Sequence, residues 1–456
     1  MTALILTGVA PSFADEKPAG GSEKGFAPSA DIDWSDAPAI EGTSGIIMDA
    51  KSGEILYEKN IHDRRDPASV TKILTCLVVL ETMDLDKEIT VNQDVGTIGH
   101  VMKLQKGEVI TVEELLYGLM VYSANDAAEV LAVAAGGSVE NFCDMMNERA
   151  RRCGANETTF TNPNGLNTYG QENHKTSAYD LALITKEAMK NKTFRKLVST
   201  VKHTIPATNK SEARKLKSTN RCLYDKHTLE INGEKVPYKY EGTIGAKTGS
   251  TGTAGECFCG VADRNGTTLI AITLNSSTPE SRFADVMQLW DYGFSKYRTY
   301  TVAGSGKALE QIRVKRGAKA DISAGIADDM VVTLNKKDDS EITTEINLDE
   351  EKPMAHIDRG DVLGEIVAYK DGKAICGAEL IAMESVEKGG LLSYIGIADE
   401  YVPHFIVTVV LVLLILIILR ILYVQNRRRK RRRRRNQRNR NMRRREMEHR
   451  RNPFDN

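Results

Sequence analysis

The chain has 456 residues, of which 41% are hydrophobic and 27% charged, which is ordinary for a globular protein and long enough for two domains and a tail. Its 62 basic and 62 acidic residues cancel, but residues 427–456 hold 15 Arg and one Lys against three acids, a net of +13, so the remainder carries −13. That split excludes one uniformly charged partner and points to two compartments or two partners.

Residues 1–14 read as a signal peptide. A short apolar run over 3–10 ends in Ser12-Phe13-Ala14, the small-x-Ala pattern of a cleavage site, although the usual front Lys or Arg is missing. Residues 15–37, rich in Gly, Pro, Ser and charge, read as a disordered leader. Residues 45–50, 51–53 and 54–58 then give strand, turn and strand.

A helix follows over residues 66–83. After Asp66-Pro67 come Ser69 and, three residues on, Lys72, and then the apolar run of Ile73, Leu74, Cys76, Leu77, Val78 and Leu80. Apolar residues nearly all round mean a buried helix, and residues three apart share one face. A buried lysine loses its proton readily and can take the proton of a neighbouring serine. Read alone, the pair also fits a capping serine beside a lysine that snorkels to solvent.

Two helices are expected between 109 and 135, the first capped by Thr111 with Glu114 as a box. Ser123 and Asn125 sit on the turn between them, suited either to capping or to relaying protons and orienting a carbonyl. Residues 160–166 are turn-rich. His174, which could be a base but in a loop is more often just polar, leads to a helix boxed by Ser177 and Asp180 that runs to about residue 196. Residues 245–251 and 256–262, the Asn265-Gly266 turn and residues 267–274 give three strands, with Lys247 on an edge strand followed by small residues. A helix over 281–297 is expected to cover the sheet. Residues 299–393 read as a small β domain, with strands near 312–314, 330–334 and 362–369.

Residues 405–424 carry one charge, Arg420, and reach about 30 Å as a helix, enough to cross a bilayer. The basic block that follows keeps residues 425–456 cytoplasmic, with the body outside and the tail near anionic lipid headgroups. The seven cysteines lack metal or framework spacing and read as mostly buried small hydrophobes.

S-x-x-K at Ser69, S-x-N at Ser123 and K-T-G at Lys247 follow one another within about 180 residues. Each motif recurs by chance: S-x-x-K at Ser199 and Ser385, S-x-N at Ser218, and a K-T-G-like run at Lys175. The ordered set on an exported, anchored chain resembles the penicillin-binding serine enzymes of the β-lactamase superfamily, and more closely the low-molecular-mass D-alanyl-D-alanine carboxypeptidases. The match extends through Pro67 to Lys72, residues 160–166 and Lys247 to Thr251, with Ala254-Gly255 beyond.

The resemblance implies an α+β fold. A β-lactamase/transpeptidase-like domain, an antiparallel sheet flanked by helices, would occupy residues 38–298, followed by the small all-β domain, a single transmembrane helix over 403–424 and the basic tail. It implies Ser69 as nucleophile, Lys72 as general base and Ser123 as proton shuttle. Asn125, Lys247, Thr248 and Ser250 would bind substrate, and the backbone N–H groups of Ser69 and Ser250 would form the oxyanion hole. Arg221 lies near the place of a carboxylate-gripping arginine in part of the family but out of register. The implied partners are peptidoglycan stem peptides ending in D-Ala-D-Ala, with β-lactams as inhibitors. No metal, no cofactor and no nucleic acid is implied. A class A β-lactamase would need a deacylating carboxylate, and the 156–176 loop offers only Glu157 and Glu172 outside the E-x-x-L-N pattern. A DD-endopeptidase or transpeptidase on the same scaffold, or an inert cell-wall-binding protein, are the remaining alternatives.

Overall fold

The computed structural model describes residues 36–451 except 93, 97 and 167–172. The signal-peptide reading and nearly all of the leader therefore lie outside the described residues.

An antiparallel sheet of five strands organises the first part of the chain: β1 (Ser44–Asp49), β2 (Ile55–Lys59), β3 (Thr243–Thr251), β4 (Gly255–Arg264) and β5 (Thr267–Ser276), in the order β2-β1-β5-β4-β3. Both faces are covered, so strand alternation sorts side chains into two cores. Ile46, Met48, Cys257, Cys259, Ile270 and Ile272 join a core with the helices that precede β3. Their sequence neighbours Ile47, Phe258, Leu269 and Ala271 join a second core against α7 (Pro279–Lys296), built on Phe283, Leu289 and Trp290. Buried Asp285 of α7 accepts Glu41 N, Gly42 N, Thr273 Oγ1 and Ser276 Oγ at 2.8–2.9 Å, which pins the helix to the sheet.

The helical side holds α1 (Lys72–Thr82), α2 (Val112–Val121), α3 (Asn125–Gly136), α4 (Val139–Arg152), α5 (Ala178–Ala188) and α6 (Lys192–Ser199). Sequence reading missed α4. Its prediction of one helix from Ser177 to about residue 196 also fails: Asn191 caps a new helix by accepting Thr193 N at 2.8 Å and Phe194 N at 3.1 Å. The two capping boxes are half-formed. Thr111 and Ser177 accept the N3 backbone N–H as expected, but Glu114 turns to His203 at 2.7 Å, and Asp180 turns to Glu157 N and Thr158 Oγ1.

After α7 come β6 (Tyr297–Ala303), β7 (Glu310–Arg313), β8 (Asp321–Gly325), β9 (Met330–Asn335), β10 (Ile342–Leu348), β11 (Val362–Lys370) and β12 (Lys373–Ala382). β6 pairs with β9, and a second five-stranded sheet runs β7-β8-β12-β11-β10. Ile312, Ile322, Leu363 and Leu380 lie in the core of this trailing part. The chain ends in α8 (Val402–Arg451), a 50-residue helix whose apolar stretch has no buried residue and is long and apolar enough to cross a membrane. The fold class expected from the motifs is the fold found. All seven cysteines are free, five of them buried.

Candidate active site

Ser69 lies in a 3₁₀ turn, Ala68–Thr71, that runs into α1 at Lys72. In a 3₁₀ turn residues i and i+3 eclipse, which aligns the two side chains more closely than an α-helix would. Lys72 Nζ is 2.8 Å from Ser69 Oγ, 2.7 Å from Asn125 Oδ1 and 2.6 Å from the Asn164 carbonyl. The lysine is fully buried. Burial first, then the charge of Lys247, push its ammonium well below the usual lysine range, against the opposing pull of Asp126 and Glu129.

The strand side brings the second pair. Lys247 on edge strand β3 is also fully buried, and its Nζ donates to Ser123 Oγ and to the Thr248 carbonyl, both at 2.9 Å. Burial, then Arg282, bring Lys247 down to about 7. Thr248 Oγ1 donates to Thr219 Oγ1 at 2.7 Å, and Ser250 Oγ to Glu256 Oε1 at 2.5 Å.

Two backbone outliers frame these groups. Ala68, just before the nucleophile candidate, has φ 47°, and Ser123 has φ 65°. Residues other than glycine, Asn and Asp seldom hold this left-handed conformation, and surrounding structure must hold them there. Two glycines allow the approach. A Cβ on Gly249 would sit 3.0 Å from Ser69 N and from Pro67 O, so the bare backbone lets β3 close on the 3₁₀ turn. A Cβ on Gly165 would meet Ala68 O at 1.8 Å, so the 160–166 loop can bring the Asn164 carbonyl to Lys72 only with glycine next in the chain.

His174 fixes that loop. Thr161 N donates to its Nδ1 at 3.0 Å, so Nε2 carries the proton and donates to Thr71 Oγ1 at 2.9 Å, which in turn donates to Ala68 O at 2.8 Å. Burial lowers His174 to about 4, which keeps it neutral.

All seven site residues picked out in the sequence thus lie around one cluster, with differences in detail. Asn125 turns its carbonyl to Lys72 and an amide hydrogen to Ile98 O at 2.8 Å. Arg221 is engaged elsewhere, paired with Asp225 at 2.7 Å and stacked on Tyr238 at 3.3 Å. Glu157 faces His62 at 3.1 Å, and Glu172 lies outside the described residues.

Sequence reading missed four groups. The Asn164 carbonyl is backbone, which motifs do not name. Thr219, inside the S-x-N run set aside at Ser218, packs on Thr248 because that run forms a turn capped by Ser218 Oγ on Asn220 N at 3.2 Å. Arg282, on α7, donates to the Gly249 carbonyl at 3.0 Å and pairs with Glu256. Glu129 accepts Gly96 N at 2.9 Å and Asn164 Nδ2 at 3.3 Å.

Known proteins share this architecture. A model of the Penicillin-binding protein 5 C-terminal domain matches residues 297–388. The D-alanyl-D-alanine carboxypeptidase DacF of Bacillus subtilis is 31% identical over 81% of this chain and 93% of its own length. DacC of Escherichia coli, of the same description, is 30% identical over 78% of this chain and 86% of its own length. Among solved structures, penicillin binding protein 5 of Haemophilus influenzae aligns with a TM-score of 0.62 at 28% identity, covering 77% of this chain and 99% of that one. The Streptomyces K15 DD-transpeptidase aligns at 0.51 and 32% identity over 57% of this chain and 99% of that one. With residues 32–278 matching the model of the D-alanyl-D-alanine carboxypeptidase family (peptidase S11), the chain belongs to that family.

Proposed function

We propose that the protein removes the terminal D-Ala from peptidoglycan stem peptides ending in D-Ala-D-Ala, through an acyl-enzyme on Ser69, and that β-lactams trap the same serine. The observation that carries this reading is the set of oxygens around Lys72. A neutral amine has two N–H donors and one lone pair. Three oxygens surround Lys72 Nζ, the Asn125 and Asn164 carbonyls and Ser69 Oγ, and once the amine is neutral the two carbonyls hold its N–H groups and leave the lone pair for the Ser69 hydroxyl. Burial favours that neutral state.

Ser69 Oγ then attacks the carbonyl of the penultimate D-Ala while Lys72 takes its proton. The backbone N–H groups of Ser69 and Ser250 hold the developing oxyanion. Ser123, in contact with Lys247, relays to the leaving D-Ala amine the proton that Lys72 took, as the C–N bond breaks, and Lys72, neutral again, takes a proton from the water that hydrolyses the ester and returns it to Ser69 Oγ. Thr248 and Ser250 meet the terminal carboxylate in the positive field of Lys247 and Arg282. Asn125 acts chiefly by orienting Lys72, and meets the substrate amide as the Ile98 contact yields. The test is release of D-Ala from a pentapeptide ending in D-Ala-D-Ala by the wild type and by Ser69→Ala. Release that persists in the variant overturns the assignment of the nucleophile.

Residues 1–14 serve export in this reading, and α8 crosses the membrane with the catalytic body outside and the tail in the cytoplasm. Arginines within the first turns after the span lie against anionic headgroups, each contributing about 1 kcal/mol. Accessibility of single cysteines added at residue 391 and in the tail to an impermeant thiol reagent in intact cells checks the orientation. Labelling of the tail from outside reverses it.

A further inference from the structure

A second cluster of charge lies in the trailing part of the chain, just ahead of α8. A cavity of about 510 Å³ opens between the turn at residues 313–317 and the segment 393–401. Arg313, Lys315, Arg316 and Lys352 line it together with Tyr394 and Tyr401, and among the described residues its lining holds no carboxylate. Three acids meet lining residues from outside: Asp321 faces Arg313 at 3.6 Å, Glu351 faces Lys352 at 4.0 Å, and Glu400 accepts Ala320 N at 2.9 Å. Positive charge remains in excess.

The walls are held by backbone bonds. Lys315 N donates to Pro353 O at 2.9 Å, Ala355 N to Lys315 O at 3.0 Å, and Gly389 N to Arg316 O at 2.9 Å. The Arg316 guanidinium lies over the Tyr394 ring at 4.9 Å. This is a set of cations on a fixed frame, suited to the oxygens of a phosphate.

Position selects the ligand. Tyr401 stands four residues before Phe405, where the apolar run begins, about 6 Å along a helix axis. The headgroup layer of one leaflet is about 5–8 Å thick. Beside the cavity, apolar side chains face outward: Leu391 is 91% exposed, Ile395 71%, Tyr394 65% and Tyr401 51%. Exposed aliphatic residues with tyrosines next to a span match the membrane interface.

We propose that this cavity binds the phosphate of an anionic lipid headgroup in the leaflet on the side of the trailing domain, with Leu391, Tyr394 and Ile395 set into the interface. The site lies at the opposite end of the span from the basic tail. It rests on the reading of residues 405–424 as a membrane span.

Hydrogen exchange on the full chain in lipid nanodiscs tests it. In discs containing phosphatidylglycerol, peptides covering residues 313–317 and 391–401 exchange severalfold more slowly than in pure phosphatidylcholine discs. The double variant Lys315→Gln/Arg316→Gln, confined to exposed side chains, abolishes the difference. Equal exchange in the two discs overturns the proposal, as does slowing that survives in the double variant. Slowing by inorganic phosphate in phosphatidylcholine discs, equal to that by phosphatidylglycerol, assigns the cavity to free phosphate and overturns the headgroup. Residues 405–424 report the span separately: their protection in both discs upholds it, and fast exchange there removes the span and this proposal together.

Discussion

Ser69–Lys72 and Ser123–Lys247 are two serine–lysine pairs of nearly equal length, 2.8 and 2.9 Å, and both lysines are fully buried. They are assembled in opposite ways. The first is local, made by one 3₁₀ turn, and its lysine meets two carbonyls from elsewhere, with Asp126 and Glu129 near enough to favour its charge. The second joins residues 124 positions apart across the sheet–helix boundary, and Arg282 disfavours its charge. In the proposed mechanism the first lysine acts by being neutral and the second by its place between a hydroxyl and a positive field.

The largest effect expected is a contrast between arginine substitutions. Arginine holds its proton throughout the working range, so Lys72→Arg removes the proposed base and slows acylation by penicillin about 10³-fold, within the span general bases supply. Lys247→Arg fixes a positive charge beside Ser123, where Lys247 at about 7 is partly charged, and slows acylation far less. Equal losses, measured by stopped-flow acylation, break the distinction.

Next in size are two opposite shifts of the pH profile. Acylation rises with pH as Lys72 loses its proton. Glu129 favours the charged form, so Glu129→Gln lowers the Lys72 pKa and moves the acid limb to lower pH. Lys247 disfavours it, so Lys247→Gln moves the limb to higher pH. Shifts in the same direction contradict the electrostatics described.

Gly165→Ala sharpens the picture of how the Asn164 carbonyl reaches Lys72. Gly165 has φ +81° and its added Cβ would meet Ala68 O, so the variant loses about 2–3 kcal/mol and acylates slowly. Gly137→Ala, at φ +77° with nothing within 4 Å, loses about 1 kcal/mol and acylates normally. Urea unfolding beside acylation rates separates the two.

The last effect, spread over the acid range and leaving acylation at neutral pH untouched, concerns His174. Folded, it takes a proton only below about 4, whereas an unfolded imidazole does so below about 6.5. Between these values the unfolded chain binds more protons, so stability falls as pH drops from 6.5 to 4. His174→Gln flattens that part of the stability curve. An unchanged slope, measured by urea unfolding across the range, assigns the acid loss to other groups.

The same contrast explains what could be read in the sequence. Ser69 and Lys72 were legible because a local pair on a periodic apolar helix leaves a spacing. Lys247 and Ser123 were legible only as members of an ordered set, since no local rule joins them. The strands and most helices followed from turns and periodicity, but the break at residues 189–191 did not, because α5 and α6 both carry an amphipathic pattern across it. Arg282 and Glu129 left no signal. Each reaches the site from a helix whose pattern reports only its buried face, and only the fold brings their charged ends to Gly249 and Asn164.

The most direct measurement is covalent labelling of the full chain with a fluorescent penicillin, wild type beside Ser69→Ala and Lys72→Arg. Stoichiometric labelling is expected of the wild type, none of Ser69→Ala and slow labelling of Lys72→Arg. A folded wild-type protein that takes no label, or a Ser69→Ala protein that labels normally, contradicts it.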